Sequence, residues 1–489
     1  VAPLSAGECG AFAGAWKTVA LRGDADTTVE SGSCYRYRVV VLDNVGNRST
    51  SSPSEAARID TTPPTPPKLA LRRESGTVYV SGSTVFYRPG AAGSFSVEAT
   101  ANDPESGIAY VSFPPVAGAT GGGADGSPPY ESSYSWGSTL SVAGSRRVLV
   151  SNRAGAGAHA DFTLAPDAVP PAELRVKVSG GPWFTVASVP LVVEPGVDGG
   201  SGVDRRSLAV ERDVAPLSAG ECGAFAGAWK TVALRGDADT TVESGSCYRY
   251  RVVVLDNVGN RSTSSPSEVA RIDTTPPTPP KLAMKAPSGA VALSETIVYY
   301  GAAAGSFSVE AKANDPESGI AYVWFPPVAG ATGGGADATS PYESGYGWID
   351  PLATTGLQRV IASNGAGLTD AGAFTLAADF DAPTGMSIIL LAGPIYKGDA
   401  VPFRIVEGTD AGSGVRKGSA TVERDSALLG ADGVCGPYAG SWTILPVPGV
   451  GGGADTTVER GRCYRYRVTV SDNVGNTATS APTGDAIVP

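Results

Sequence analysis

Residues 1–70 return as residues 214–283, identical at every position but one, where Ala56 becomes Val269. An offset of 213 residues is too long for a solenoid repeat and suits two domains laid in series. One block inside the copy, C-Y-R-Y-R-V-V-V-L-D-N-V-G-N, stands at residues 34–47 and 247–260, and comes back as C-Y-R-Y-R-V-T-V-S-D-N-V-G-N at 463–476. No base, nucleophile or metal cage accompanies it, so the triplication implies a structural unit.

Two modules alternate within the repeat. A B module occupies residues 61–167 and again 274–380; an A module occupies 168–273 and 381–489; residues 1–60 hold only the second half of an A module. Asp60, Asp167 and Asp273 each precede a short stretch ending in Pro-Pro, and Asp381-Ala-Pro is a shortened form. Proline cannot donate to a sheet ladder and suits the lead-in to a first strand, while P-P-T-P-P favours a semi-rigid polyproline spacer. The modules are therefore expected to form a rod. Both kinds carry D-x-x-S-G-[IV], at 103–108 and 315–320 in B and at 198–203 and 410–415 in A. Both also end in a strand and a turn that opens on [DS]-N and closes on [AV]-G, at 43–46, 151–155, 256–259, 363–367 and 472–475. Nothing corresponding to residues 168–213 precedes the half module, and half a sandwich would leave a core face and a strand edge bare. Upstream residues or another chain are expected to supply those strands. The last A module departs most from its siblings, as terminal repeats often do.

Hydrophobic runs are short and many alternate apolar with polar residues, the period of half-buried strands; no amphipathic helix stands out. Gly (64) and Pro (38) punctuate the chain, yet 42% hydrophobic residues leave ample material for cores. The expected fold class is all-β: tandem seven-stranded Ig-like β-sandwich domains. A net charge of −11 argues against nucleic acid, which requires a basic stripe. There is no apolar segment of about 18 residues, so no membrane span is expected.

In Y-R-Y-R-V-V-V-L-D, Tyr35, Tyr37, Val39 and Val41 share one face while Arg36 and Arg38 point the other way. A strand of a two-sheet sandwich needs that alternation. The wider pattern, W-x-x-[VI] followed by D-T-T-V and G-x-C-Y-x-Y-x-V-x-V-x-D-N-V-G-N, resembles the bacterial immunoglobulin-like and fibronectin-III-like repeats of large secreted or cell-surface proteins. The resemblance implies seven-stranded sandwiches used as spacers, adhesin stalks and fibre-building units.

The six cysteines fall in pairs inside the A modules: Cys9 and Cys34, Cys222 and Cys247, Cys435 and Cys463, at spacings of 25, 25 and 28. Pairing within each module is the simple solution. Metal binding is the rival, without a C-x-x-C or a nearby histidine to support it. Such bonds persist in oxidising surroundings, so an extracellular protein is expected. Cys34 is out of phase with Tyr35 and Tyr37, which predicts a peripheral bridge pinning the S-A-G-E-C-G-A-F-A-G-A-W excursion to the start of the strand.

Little points to catalysis, and the chain reads as no enzyme. The single histidine, His159, has no catalytic partner motif, and the T-G-G-G-A-D stretches lack the Lys-Ser/Thr of a phosphate loop. Trp16, Trp229 and Trp442 read as core packing beside the disulfide loop, with a sugar-stacking platform as the alternative. Tyr130, Tyr134 and Trp136, with Tyr342, Tyr346 and Trp348, read as core or module contact. The stretches V-S-F-P-P-V-A-G-A (111–119) and V-W-F-P-P-V-A-G-A (323–331) read as apolar patches for assembly. No cofactor is required, but calcium is a candidate ion, since loops at one pole would bring several oxygen ligands together. Its expected ligands are Asp60, Asp103 and Glu105 at one junction, Asp167, Asp198 and Asp256 at the next, and Asp273, Asp315 and Glu317 at a third; the alternative is that they cap turns. N-R-S at Asn47 and Asn260 fits a glycosylation acceptor. The expected function is a structural extracellular repeat protein, a surface stalk or filament subunit that associates with neighbouring copies. The alternatives are an adhesin binding a cell-surface protein or glycan through polar loops, and spacers of an upstream exoenzyme.

Overall fold

The computed structural model describes residues 1–446 and 451–489. Among them there is no helix, and the strands build an all-β chain of two-sheet sandwiches. Strand pairing stays within residues 1–60, 61–167, 168–273, 274–380 and 381–489.

In the B module at 61–167, a three-stranded sheet sets Gly93–Thr100 between Lys68–Gly76 and Tyr130–Trp136. It faces a six-stranded sheet in which Gly144–Asn152 lies between Ile108–Phe113 and Gly157–Pro166. Alternate residues of both sheets meet in one core. Phe95 stacks on Tyr134 with centroids 4.9 Å apart, and Phe307 repeats this on Tyr346 at 5.1 Å. Each tyrosine satisfies its hydroxyl inside the core, Tyr134 on Pro114 O and Tyr346 on Pro326 O, both at 2.8 Å. The two B modules differ at one corner. The first breaks its strand after Thr84–Tyr87 at Arg88-Pro89, because proline cannot continue the ladder; the second runs unbroken through Gly-Ala-Ala-Ala as Ile297–Lys312.

The stretches read as assembly patches are core instead. Val111, Phe113 and Val116 are buried, as are Val323, Phe325 and Val328. The strand alternates into the sandwich, and the second valine, after the Pro-Pro pair, is tucked underneath.

In the A module at 168–273, Ser246–Asp256 is the central strand of its sheet, between Ala270–Ile272 and Val203–Ser218. Tyr248, Tyr250 and Val252 bury themselves against Val176, Val189 and Leu191 of the opposing sheet, and Val254 further along the strand is fully buried too. The opposite face of the strand's start carries Cys247, fully buried in a second small cluster with Ala215 and Leu217. The A module at 381–489 repeats the plan around Tyr464, Tyr466, Val468 and Val470.

Residues 1–60 have the same sequence as 214–273 apart from Ala56, yet not the same environment. The eleven-residue strand of the copy survives only as Ser33–Tyr35 and Val40–Leu42, the latter paired to Arg48–Thr50. Val39 is 65% exposed and Val41 56%, whereas Val252 and Val254, their counterparts, are 0% exposed. Sequence supplies the alternation; the neighbouring strands supply the burial.

This pair is its own control. Val254→Ala is expected to destabilise its module by about 2–3 kcal/mol, and Val41→Ala to change its surroundings by less than about 0.5 kcal/mol. Urea denaturation read through amide exchange at each copy measures the difference.

Candidate functional site

Each complete module begins with an aspartate that its own loops capture. In the A module, Asp167 Oδ2 accepts from the Ser201 amide (2.7 Å), and Asp198 Oδ2 accepts from the amides of Gly200 (3.2 Å) and Gly202 (2.6 Å). Asp256 Oδ1 accepts from the amides of Val258 and Asn260 in the exit turn. These contacts draw Asp167, Asp198 and Asp256 together, with one carboxylate oxygen from each within 4.8 Å of the others. Asp379, Asp410 and Asp472 form the same triad in the A module at 381–489. Asp198 Oδ1 is buried with no hydrogen-bond partner. Burial, followed by the Asp167 and Asp256 charges, pushes the Asp198 carboxyl above the ordinary aspartate range, against the amides of Gly202 and Gly200, which pull it down.

The B modules solve the same problem with an amide. Asn152 Nδ2 donates to Asp60 Oδ2 (3.0 Å), Asp103 Oδ2 (2.9 Å) and Thr62 O (3.1 Å). Asn364 does the same for Asp273 (2.9 Å), Asp315 (2.9 Å) and Thr275 O (3.1 Å). A donor thus sits where the A modules place a third carboxylate. Glu105 and Glu317, read as companions of these aspartates, reach the preceding module: Ser31 Oγ donates to Glu105 (2.5 Å) and Ser244 Oγ to Glu317 (2.6 Å).

Two details differ from the sequence reading. The turn is offset by one residue: Asn152, not Ser151, corresponds to Asp256, since Asn152 Oδ1 accepts from the Ala156 amide as Asp256 Oδ1 does from Asn260. The acid that opens the last module is Asp379, whose carboxylate accepts from the Ser413 amide (2.7 Å). Asp381 is marked only by the Ala-Pro that follows it, whereas Asp379 stands 212 residues after Asp167, close to the repeat's own period.

The joints themselves are of two kinds. From A to B, a hairpin tip of the first module bonds to the D-P-E-S-G loop of the second through main-chain atoms. The amides of Ala6 and Gly7 donate to Pro104 O (3.0 Å) and Glu105 O (2.8 Å); those of Ala219 and Gly220 donate to Pro316 O (3.0 Å) and Glu317 O (2.9 Å). Ala6 and Ala219 take φ of 51° and 49°, a conformation that costs a non-glycine residue of order 1 kcal/mol and turns both amides outward. A Cβ on Gly7 would stand 2.7 Å from Ser106 O, so a glycine is required there. From B to A no backbone hydrogen bond crosses among the described residues; Arg88 Nη1 donates to Gly259 O at 3.1 Å.

The cysteines pair as the spacing implied: Cys9–Cys34, Cys222–Cys247 and Cys435–Cys463. Each bridge anchors an excursion whose aromatic rings lie over arginines on the outer face of the central strand. Phe225 covers Arg249 at 4.5 Å, and Trp229 lies over Arg251 at 4.3 Å; Tyr438 and Trp442 cover Arg465 and Arg467 at 4.3 and 4.1 Å. The recurrent tryptophans are therefore neither core nor an open platform. They shield guanidinium groups that the strand's alternation sends outward.

No protein-family model matches the chain, and no curated protein does. Among solved structures, an ICAM-5 ectodomain fragment aligns at 13% identity over 87% of this chain and 100% of its own, with a TM-score of 0.27. The Escherichia coli adhesin FdeC aligns at 14% identity over 64% of this chain and 99% of its own, with a TM-score of 0.26. A crystal structure of titin domains aligns at 11% identity over 66% and 99%, with a TM-score of 0.25. At this level of similarity the fold rests on the sheets described above.

A carboxyl whose folded value is raised stabilises while protonated and loses that contribution as pH rises through the folded value. Asp198→Asn keeps an oxygen for the glycine amides and places an N–H donor among the carboxylates. The expected gain is about 1 kcal/mol at pH 7 without divalent cations, a rise of about 4 °C in the melting of this module. The gain should shrink as pH falls into the carboxyl range. Calorimetry across pH checks both.

Proposed function

We propose that this is a structural, non-catalytic extracellular repeat protein, a stalk or a fibre subunit, in which A–B pairs act as stiff elements. The observation that carries the reading is the A-to-B joint: the same two main-chain hydrogen bonds recur at both copies, supported by the same serine–glutamate contact. A joint read by backbone atoms and closed by a polyproline lead-in resists bending more than a flexible tether does. The three disulfides favour an oxidising, extracellular setting.

Negative-stain microscopy with small-angle scattering is the test. Isolated rods of uniform length support the stalk and regular filaments the fibre, while compact particles would overturn the reading. Gly220→Val should broaden the angle across its joint, because φ of 86° and Ser318 O, 3.1 Å from the new Cβ, both oppose a side chain there.

We also propose that the triads Asp167–Asp198–Asp256 and Asp379–Asp410–Asp472 take a divalent cation, with calcium the best fit to an all-oxygen set. The unpartnered Asp198 Oδ1 supports this. The B-module poles, where Asn152 and Asn364 already bridge the carboxylates, are not expected to respond. Calcium should raise the melting of the A modules alone, and chelator should reverse it. Identical melting curves in calcium and chelator would remove the ion.

A further inference from the structure

The A-to-B joint is gripped at two places, and each stands beside a cysteine. The first is the hairpin tip. Val203–Ser218 turns back into Glu221–Cys222, an arm of two residues, with Ser218 opposite Glu221 and Leu217 opposite Cys222. Gly220, two residues before Cys222, donates its amide to Glu317 O across the joint (2.9 Å). The second place is Ser244, three residues before Cys247, whose Oγ donates to the carboxylate of the same Glu317 (2.6 Å). That Oγ also accepts from the amide of Thr274, where the B module begins (2.8 Å). A single residue of the next module is thus held by its carbonyl at the tip and by its carboxylate at Ser244.

The two grips are not equally well supported. Ser244 precedes the central strand, and the first arm of the hairpin is tied to it by the Leu217 amide on Gly245 O (2.9 Å). The second arm has its two residue pairs and the Gly223 amide on Pro216 O (2.8 Å) before the chain leaves for the excursion. The Cys222–Cys247 bond fastens this arm to the central strand. It does so away from the main core: Cys247 clusters with Ala215 and Leu217, while the sandwich closes around Tyr250, Val252, Val189 and Leu191. The copy repeats every element, with Gly7 on Glu105 O (2.8 Å), Ser31 on the Glu105 carboxylate (2.5 Å) and Cys9 bonded to Cys34. In the A module at 381–489 the bridge Cys435–Cys463 is kept, but Arg460 stands at the position of Ser244 and the tip is one residue longer.

We propose that the Cys222–Cys247 and Cys9–Cys34 bridges are latches for the joints ahead of them, so that the stiffness of an A–B pair follows the thiol–disulfide state of its surroundings. The proposal rests on the reading of that pair as a stiff element. With the bridge closed, the tip and Ser244 meet Glu317 as one preset surface, and little order has to be gained on docking. A dithiol opens it by exchange. Its thiolate attacks the sulfur of Cys222, which is half-buried where Cys247 is fully buried, and Cys247 leaves as the thiolate. The reagent's second thiol then displaces Cys222 and closes its own disulfide; two electrons and two protons have passed to the cysteines. The sandwich core stays, the short arm is released, and the Gly220 amide parts from Glu317.

The test compares three variants of the full chain: Cys222→Ser with Cys247→Ser, Cys435→Ser with Cys463→Ser, and Gly220→Val. Negative-stain images give the spread of angles between consecutive modules, and calorimetry gives their melting. The first variant should widen the angle after residue 273 to the spread that Gly220→Val gives, while its module keeps a melting transition, at a lower temperature. The second should leave that angle at the parental spread. Dithiothreitol on the parent should widen both A-to-B joints, and reoxidation should narrow them again. An unchanged angle in the first variant, where Gly220→Val widens it, would overturn the latch and leave the stiff pair standing. Equal widening by the second variant would overturn it too, as would loss of the module's melting transition in the first, since the bridge would then hold the fold and not the joint. A parent chain with no preferred angle at either joint would overturn the latch together with the stiff pair.

Discussion

Each A module depends on one strand pairing, that of Ser246–Asp256 with Val203–Ser218 and its equivalent in the last module. The central strand has two faces with opposite needs. One is apolar and must be removed from water; the other carries arginines that cannot be buried without partners. The neighbouring strand serves both at once, extending the sheet that closes the core and placing Glu211 and Asp213 beside the guanidinium groups. Without that neighbour, the same sequence in residues 1–60 keeps only short strands and leaves its valines in solvent. The disulfide does not substitute for it: Cys9–Cys34 is formed there as well.

The module poles show how a single residue changes the electrostatics of a conserved geometry. Three loops converge in both kinds of module, and two of the three contributed side chains are always aspartates. Where the third is Asn152 or Asn364, its amide hydrogens neutralise the repulsion locally. Where it is Asp256 or Asp472, a third carboxylate takes the place of the amide, and in the first of these triads burial, with the Asp167 and Asp256 charges added to it, raises the Asp198 carboxyl.

Much of this was legible in the sequence. Alternation of Tyr and Val with Arg identified the half-buried strand, and phase placed Cys247 on the face away from the main core. The cysteine pairs followed from spacing, and the gathering of Asp167, Asp198 and Asp256 from the recurrence of two loop motifs. What escaped depends on contacts that spacing does not encode. The offset between Asn152 and Asp256 is set by which side chain receives the amide four residues on. The fate of V-S-F-P-P-V depends on the direction of a turn, which buried Val116. The arginine–aromatic stacks escaped because an excursion of irregular chain carries Phe225 and Trp229 across the sheet.

The A-to-B joint is made by amides and carbonyls, with a glycine at its tip and an alanine held in a left-handed conformation. Main-chain recognition of this kind is indifferent to most side chains nearby, so the two partners can drift in sequence without separating. Cutting the chain within such a joint would strand two outward-facing amides, whereas among the described residues no backbone hydrogen bond spans a cut between B and A. The smallest segment that can be copied or deleted with its hydrogen bonding intact is therefore the A–B pair, and its length is the 213-residue period with which the chain repeats itself.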